Sequence, residues 1–367
     1  MSRGRPACLT LPVGNEALSI AAPCQARLAF GARAPLVICY GLGVDSTALL
    51  VGYAQRGIRP DLILFSDVGA ERQATYDYLP VINTWLCEHG FPEVTVVRYR
   101  PVDFKHWPPY STIEENILTN VSLPSIAYGF HTCSGKWKCS AQDAFLKSWQ
   151  PASEAWAAGV NVLRAVGFED SPHERSRSKR CATFAVQDFD RGKYTVIFPL
   201  QEWGWNRERC IEEIKAAGLP VPSKSSCYFC TAMKPKEVDE LPADKLRRIV
   251  ILEARTRHRH LDYAEKKGWP RGVGVPLTEG LWRKRVKGMR GAIAKPGSMT
   301  EYIREKGLLP AAEIDALIEL TPTVPFSRED FERLGISGWQ DWIARICEKA
   351  REAAVIRAAE CAFTGMD

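Results

Sequence analysis

Cys227 and Cys230 stand with two residues between them, a chelating spacing found in zinc and iron–sulfur sites alike. One such pair does not complete a site. Cys133 and Cys139, on either side of Lys136 and Lys138, are the cysteines available to join it. A second chemistry-bearing stretch is Leu36–Leu50. Leu36 to Tyr40 is a short apolar run that suits a buried strand. Gly41 and Gly43 break it into a turn, and Ser46-Thr47-Ala48-Leu49-Leu50 starts a helix, with Asp45 or Ser46 as its N-cap. Strand, glycine turn and helix N-terminus together make an anion site, because the glycines let backbone N–H groups approach and the helix dipole favours negative charge. Asp45 suits a bound Mg²⁺ or a hydroxyl better than a bare phosphate. The loop lacks the lysine of a Walker loop and does not fit G-x-G-x-x-G.

These residues need a scaffold, and the pattern around them supplies one. A helix is expected from Thr47 to Gln55, closed by Gly57, then a strand over Leu62–Phe65. Asp67 and Glu71 follow that strand, where acids meet ligands in open α/β sheets. Thr75–Glu88 is amphipathic, Val94–Tyr99 is a third strand and Thr112–Asn120 a helix. Gln142–Trp149 reads as helix, Asn161–Phe168 as strand, Glu169–Arg180 as a mixed-charge loop, Tyr194–Phe198 as strand and Arg207–Ala217 as helix. The alternation predicts an α/β fold with a doubly wound, mainly parallel sheet. From Pro235 the pattern turns helical and basic, with Leu241–Lys267 a helix or a broken pair. Three parts are expected: an arm over residues 1–33 with a short strand near Ala17–Ile20, an α/β domain over 34–235, and a helical C-terminal region over 236–367.

A chain of 367 residues has room for one large domain or two smaller ones. Its apolar fraction of 46% and charged fraction of 25% are those of a globular protein. No apolar run is long enough to span a membrane, and the first residues carry Arg3 and Arg5 but no signal-peptide core, so the expected compartment is the cytoplasm, with no membrane partner. The net charge of +6 is unevenly placed: Lys and Arg crowd between Arg247 and Lys295. Such a patch suits nucleic acid or an anionic nucleotide, and equally a solvated helical surface. Twelve cysteines in a reducing compartment do not imply a disulfide framework. Cys39, Cys87, Cys181, Cys210, Cys347 and Cys361 sit in apolar or helical contexts and read as small hydrophobes or bystanders.

Over residues 35 to 235 the order of motifs resembles the phosphoadenosine phosphosulfate (PAPS) reductase family of the N-type ATP pyrophosphatase (PP-loop) superfamily. Tyr40-Gly41-Leu42-Gly43-Val44-Asp45-Ser46 resembles the S-G-G-x-D-S pyrophosphate loop, with Tyr40 for the usual Ser and Leu42 for the second Gly. Leu64 to Glu71 is similar to a strand ending in D-T-G-x-E, and Thr75-Tyr76 to the E-T-Y helix start after it. Cys133 to Lys138 resembles C-C-x-x-x-K, with Ser134 for the second Cys. Gly167-Phe168 with Glu174, Ser176 and Arg177 resembles G-x-R-x-x-E-S-x-R. Phe198 to Trp203 resembles P-L-x-x-W, and Ser226 to Thr231 resembles G-C-x-x-C-T.

The resemblance implies a sheet of the adenine nucleotide alpha hydrolase-like (HUP) type with ATP or a related adenine nucleotide, and Mg²⁺, over the strand ends. Tyr40, Gly41, Gly43, Asp45, Ser46 and Thr47 would form the phosphate cradle. Asp67, Glu71 and Gly167 would lie near the nucleotide or its metal. Lys138 and Arg177 would neutralise substrate charge and, with Asp45, make up the catalytic set. Three readings of the cysteines stay open: a [4Fe–4S] cluster on Cys133, Cys227 and Cys230 with one open iron, a cluster completed by Cys139, or zinc or no metal at all. The family's cluster-free reductases use an E-C-G-x-H tail. Glu360-Cys361-Ala362 lacks its Gly and His and follows an alanine-rich run, so Cys361 is read as a helix residue.

Three functions are compatible. The first is ATP-dependent adenylation and sulfur transfer to a nucleic acid or nucleotide, served by a sulfur donor protein, with the basic C-terminal helices holding the polyanion. The second is a sulfonucleotide reductase that makes sulfite. The third is a nucleotide-binding regulator or defence-associated module that has kept the fold without the chemistry.

Overall fold

The apolar run Leu36–Tyr40 becomes the central strand, β1, of a computed structural model that describes residues 33–124, 127, 133–187, 193–266, 280–282 and 297–364. After β1 come α1 (Val44–Gln55), β2 (Leu62–Ser66), α2 (Gln73–Glu88), β3 (Val94–Val97) and α3 (Ile113–Asn120). A π-helical stretch, Ser134–Cys139, runs directly into α4 (Ser140–Ser148), followed by α5 (Gln150–Ala157) and β4 (Val162–Val166). Then come α6 (Pro172–Gln187), β5 (Tyr194–Ile197), α7 (Pro199–Glu202) and α8 (Arg207–Ala216). The five strands lie in the order β3-β2-β1-β4-β5, and every neighbouring pair is parallel.

Alternation along the strands sends apolar side chains to both faces. Ile38 and Tyr40 of β1 join Ile63 and Phe65 of β2 in a core with Leu49 of α1, Ile82 and Leu86 of α2, and Ile214 of α8. Val37, Leu62 and Leu64 point the other way, into a core with Leu146 of α4 and Ala152 of α5. Helices therefore cover both faces, and the sheet is doubly wound. The chain passes outward from β1 to β3 and then returns to lay β4 on the other side of β1, so the order reverses between β1 and β4. In open parallel sheets ligands bind above the carboxyl ends of the strands at such a reversal.

Two local expectations are corrected. The N-cap of α1 is Gly43, not Asp45 or Ser46. Ser46 instead sits one turn in and accepts the Gly43 N–H at 3.3 Å. The charged segment Glu169–Arg180 is not a loop: α6 starts at Pro172. Ser171 caps it by accepting the Glu174 N–H at 3.3 Å, and proline is preorganised for a first helical position.

Beyond the sheet lie α9 (Pro235–Asp239), α10 (Ala243–Lys266), α11 (Met299–Glu305), α12 (Ala311–Leu320), α13 (Arg328–Leu334) and α14 (Trp339–Thr364). Where a helix or a broken pair was expected, α10 is one helix over Ala243–Lys266, and α14 carries Cys361 within its backbone span. Ile249, Leu252, Ile314 and Trp342 of these helices share one apolar cluster with Val68, Ile117, Tyr228 and Phe229, so packing is continuous across residue 235. The arm and the strand expected near Ala17–Ile20 fall outside the described residues. No helix among the described residues is long and apolar enough to cross a membrane.

Candidate functional site

The turn after β1 gathers backbone donors. The Gly41 and Gly43 N–H groups converge on Ser46 Oγ at 3.2 and 3.3 Å, and that hydroxyl donates to the Gly43 carbonyl at 3.1 Å. Leu42 between them holds a left-handed φ of 56°. That conformation costs a leucine about 1–2 kcal/mol, offset by a fully buried side chain. Tyr40 and Thr47 do not face the turn's open side with their hydroxyls. The two are buried and bond each other at 3.0 Å, which braces the turn from beneath. Burial raises the Tyr40 phenol well above its ordinary range, so it stays neutral.

Gly167, just past β4, closes against this turn. A Cβ there would lie 2.8 Å from the Ser46 Cα and N atoms, so only glycine allows the approach. Asp45 at the start of α1 is paired with Arg207 of α8, Nη1 to Oδ1 at 2.5 Å. Burial raises its carboxyl pKa, against the pull of Arg207 and with the help of nearby Glu169 and Glu174. Arg177 donates to both carboxylate oxygens of Glu174 at 2.8 Å and lies 4.8 Å from the centre of the Phe168 ring. The reversal point therefore collects Asp45, Arg207, Glu174 and Arg177 around the glycine turn.

The end of β2 is held differently. Asp67 accepts from the Gly69 N–H at 2.7 Å and the Tyr76 hydroxyl at 2.8 Å on one oxygen. Its other oxygen takes Arg98 Nε and Nη2 at 2.9 and 2.5 Å. Four protein donors fill this carboxylate, which leaves it no open direction for a metal or a ribose. Glu71 is buried and meets Lys138 Nζ at 3.5 Å and the Ser225 hydroxyl at 3.4 Å. Burial raises the Glu71 pKa. Burial works against the Lys138 charge as well, but the Glu71 carboxylate beside it outweighs that and raises the Lys138 pKa. A short antiparallel bridge pairs Glu71 with Cys227, and flanking bonds run from Tyr228 N–H to the Ala70 carbonyl (3.0 Å) and from Arg72 N–H to the Ser226 carbonyl (3.2 Å). These bonds deliver the Cys-x-x-Cys segment to the acid behind β2.

Cys133, Cys227 and Cys230 are electrostatic neighbours of one another, with Lys138 beside the last two. Burial pushes the Cys227 and Cys230 thiols up. Tyr228, Phe229 and Trp137 cover them with apolar surface. Ser226 Oγ, next to Cys227 in sequence, is buried and makes no hydrogen bond, and the same holds for Thr75 Oγ1 in the first turn of α2. Among the described residues no three His, Cys, Asp or Glu side chains converge as ligands of a single ion. Cys139 is not part of this group. It neighbours Arg164, Cys39, Asp143 and Cys181 instead, and desolvation pushes its thiol up to about 11.

Three arginines in the described part of α10 find partners within the protein, while Arg257 and Arg259 are exposed. Arg247 pairs with Glu313 at 2.6 Å and Arg248 with Glu114 at 2.8 Å. Arg255 is fully buried and donates to the carbonyls of Leu118 and Pro322. Residues 267–279 and 283–296, which carry much of the expected patch, lie outside the described residues. A different cationic feature, not foreseen in the sequence, is a cleft of about 380 Å³ whose lining includes Lys105, Lys136 and Arg259. Its residues are dispersed along the chain, and no motif joins them. No family model matches the chain, and no curated protein is significantly similar to it.

Proposed function

We propose that the protein is a PP-loop enzyme of the HUP type that uses ATP to adenylate an oxygen of a nucleic acid or nucleotide and then exchanges that oxygen for sulfur. The observation that supports this most is the contact of Gly167 with Ser46, which holds a glycine turn and a helix N-terminus as one convergent donor surface at the reversal between β1 and β4. The acceptor oxygen attacks the α-phosphorus of ATP and pyrophosphate leaves. A sulfur nucleophile then takes the acceptor carbon and AMP departs with the oxygen. The Gly41 and Gly43 amides, once they exchange Ser46 Oγ for phosphate oxygens, bind the phosphates. Asp45, once released from Arg207, orients Mg²⁺ or the attacking hydroxyl. Arg177 neutralises charge on the phosphate side, and Lys138 on the side of the thiols.

The donor set of Cys133, Cys227 and Cys230 fits an iron–sulfur cluster in kind: three mutually neighbouring thiols on two segments, a lysine to offset thiolate charge and an aromatic cover. When bound, such a group supplies a labile sulfur beside Lys138. A sulfonucleotide reductase is favoured by the same lysine, since Lys138 stands where a sulfonate could meet a thiol. A regulator without chemistry is favoured by Asp67, whose carboxylate is filled by protein donors. Pyrophosphate release from ATP in the presence of RNA, DNA or nucleotide acceptors supports the first reading. Sulfite formed from a sulfonucleotide replaces it with the second, and ATP binding without turnover leaves the third.

A further inference from the structure

The cleft between α3 and the π-helical stretch has the make-up of a nucleotide site. Its volume of about 380 Å³ is within the usual range for small-ligand pockets. Lys105, Lys136 and Arg259 bring three cations to its lining, and among the described residues that line it there is no acid. Among the described residues neither Lys105 nor Lys136 has a carboxylate partner, and both are exposed. Lys136 instead lies 5.5 Å from the Tyr99 ring centre and 5.7 Å from that of Trp137. Burial, Lys105 and Arg259 together lower the His106 pKa, so at neutral pH this ring offers a hydrogen-bonding edge and no charge. Ile113, Leu123 and Pro124 give an apolar wall, while Asn116 and Asn120 bring side-chain amides one helical turn apart on α3. Cations for phosphate, amides for a base edge and an apolar wall for its faces are the three requirements of nucleotide recognition. Cys133 also lines the cleft and is a neighbour of Cys227 and Cys230, so an occupant abuts the thiols.

We propose that this cleft binds one phosphate-bearing nucleotide of the acceptor, its base against Asn116 and Asn120 and its phosphate at Lys105, Lys136 and Arg259. The assignment of the occupant as acceptor rests on the sulfur-transfer reading. The binding chemistry does not. The nucleotide has two sources, a free monophosphate or a residue within a single strand, and the same titration separates them.

The test uses the full-length protein, a labelled short single-stranded oligonucleotide and unlabelled nucleoside monophosphates, with fluorescence anisotropy at several salt concentrations. The expected result is oligonucleotide binding that weakens about tenfold or more in Lys105→Ala/Lys136→Ala, with the logarithmic salt slope smaller by about 1.4. Asn116→Ala should change the preference among bases while keeping the slope. Competition by monophosphates at concentrations equal to those of the strand points to a free nucleotide as the source. Weaker competition points to a strand. No binding by the parent, or unchanged binding by the double variant, overturns the proposal, as does equal competition by an acidic peptide. ATP binding is measured on the same samples. Loss of ATP binding in the parent sinks the PP-loop reading alone, whereas loss of oligonucleotide binding with ATP binding intact sinks only the cleft.

Discussion

Gly167 and Ser46 are so close that a Cβ on the glycine would meet the serine backbone at 2.8 Å and the Asp45 carbonyl carbon at 2.9 Å. The atoms in the way are main chain and cannot rotate aside. Gly167→Ala should therefore push β4 away from the start of α1, costing about 1–3 kcal/mol of stability and weakening ATP binding by at least about tenfold. Urea unfolding together with ATP titration checks this. An alanine variant that binds ATP like the parent would show that the contact does not shape the phosphate cradle.

The grouping of the thiols makes a second prediction. Because Cys139 is an electrostatic neighbour of Arg164, Cys39 and Cys181, while Cys133, Cys227 and Cys230 are neighbours of one another, the two sets should differ in metal content. After anaerobic purification, iron, sulfide and the broad visible absorption of a cluster should persist in Cys139→Ala and disappear in Cys133→Ala and Cys227→Ala. Iron lost equally from all three variants would place Cys139 among the ligands. Zinc in place of iron, or thiols that all titrate free, would remove the cluster.

How much of this was legible depends on where each residue finds its partner. β1, β2 and the glycine turn are local: an apolar run, two glycines and a helix start lie within Leu36–Leu50, and the strands follow from composition alone. The charge of α6 hid its helical nature, although Ser171-Pro172 before Glu174 is a helix-start signal within four residues. The fate of the basic helix was not legible, because Arg248 finds Glu114 at a separation of 134 residues and Arg247 finds Glu313 at 66. Spacing put Cys139 among the thiols. The π-helical turn beneath it closes from the Ser140 N–H to the Gly135 carbonyl, five residues apart, and changes which side chains share a face.

Glu71 sets a pH dependence. In the unfolded chain its carboxyl loses the proton near the ordinary value of 4.5, whereas burial makes the folded protein hold it to higher pH. Within that window the folded state binds more protons than the unfolded state, so the contribution of Glu71 to stability is full below about pH 4.5 and declines as pH rises through its folded value. Glu71→Gln has no proton to lose. The parent-minus-variant difference in urea midpoint should be most positive at the acid end and shrink with rising pH. A difference that grows with pH would mean that the ionised pair with Lys138 outweighs burial.

Arg255 provides a test of how the C-terminal helices are held. Its guanidinium is fully buried, donates to the Leu118 carbonyl at 2.6 Å and the Pro322 carbonyl at 2.7 Å, and lies 4.6 to 5.6 Å from the ring centres of Phe326, Trp339 and Trp342. One side chain thus joins α10 to the end of α3, the turn after α12 and the start of α14. A methionine fills most of the volume and removes the buried charge, which by itself is neutral or favourable. It leaves two carbonyls without their donor, at about 1–3 kcal/mol each, and forgoes the cation–π contacts. Arg255→Met should therefore destabilise by about 2–4 kcal/mol. Arg255→Lys should not restore the loss, because an ammonium cannot reproduce the planar fork that reaches both carbonyls. Urea midpoints of the two variants decide the matter: a methionine variant as stable as the parent would mean that the aromatic cage alone, without the carbonyl bonds, holds these helices to α3.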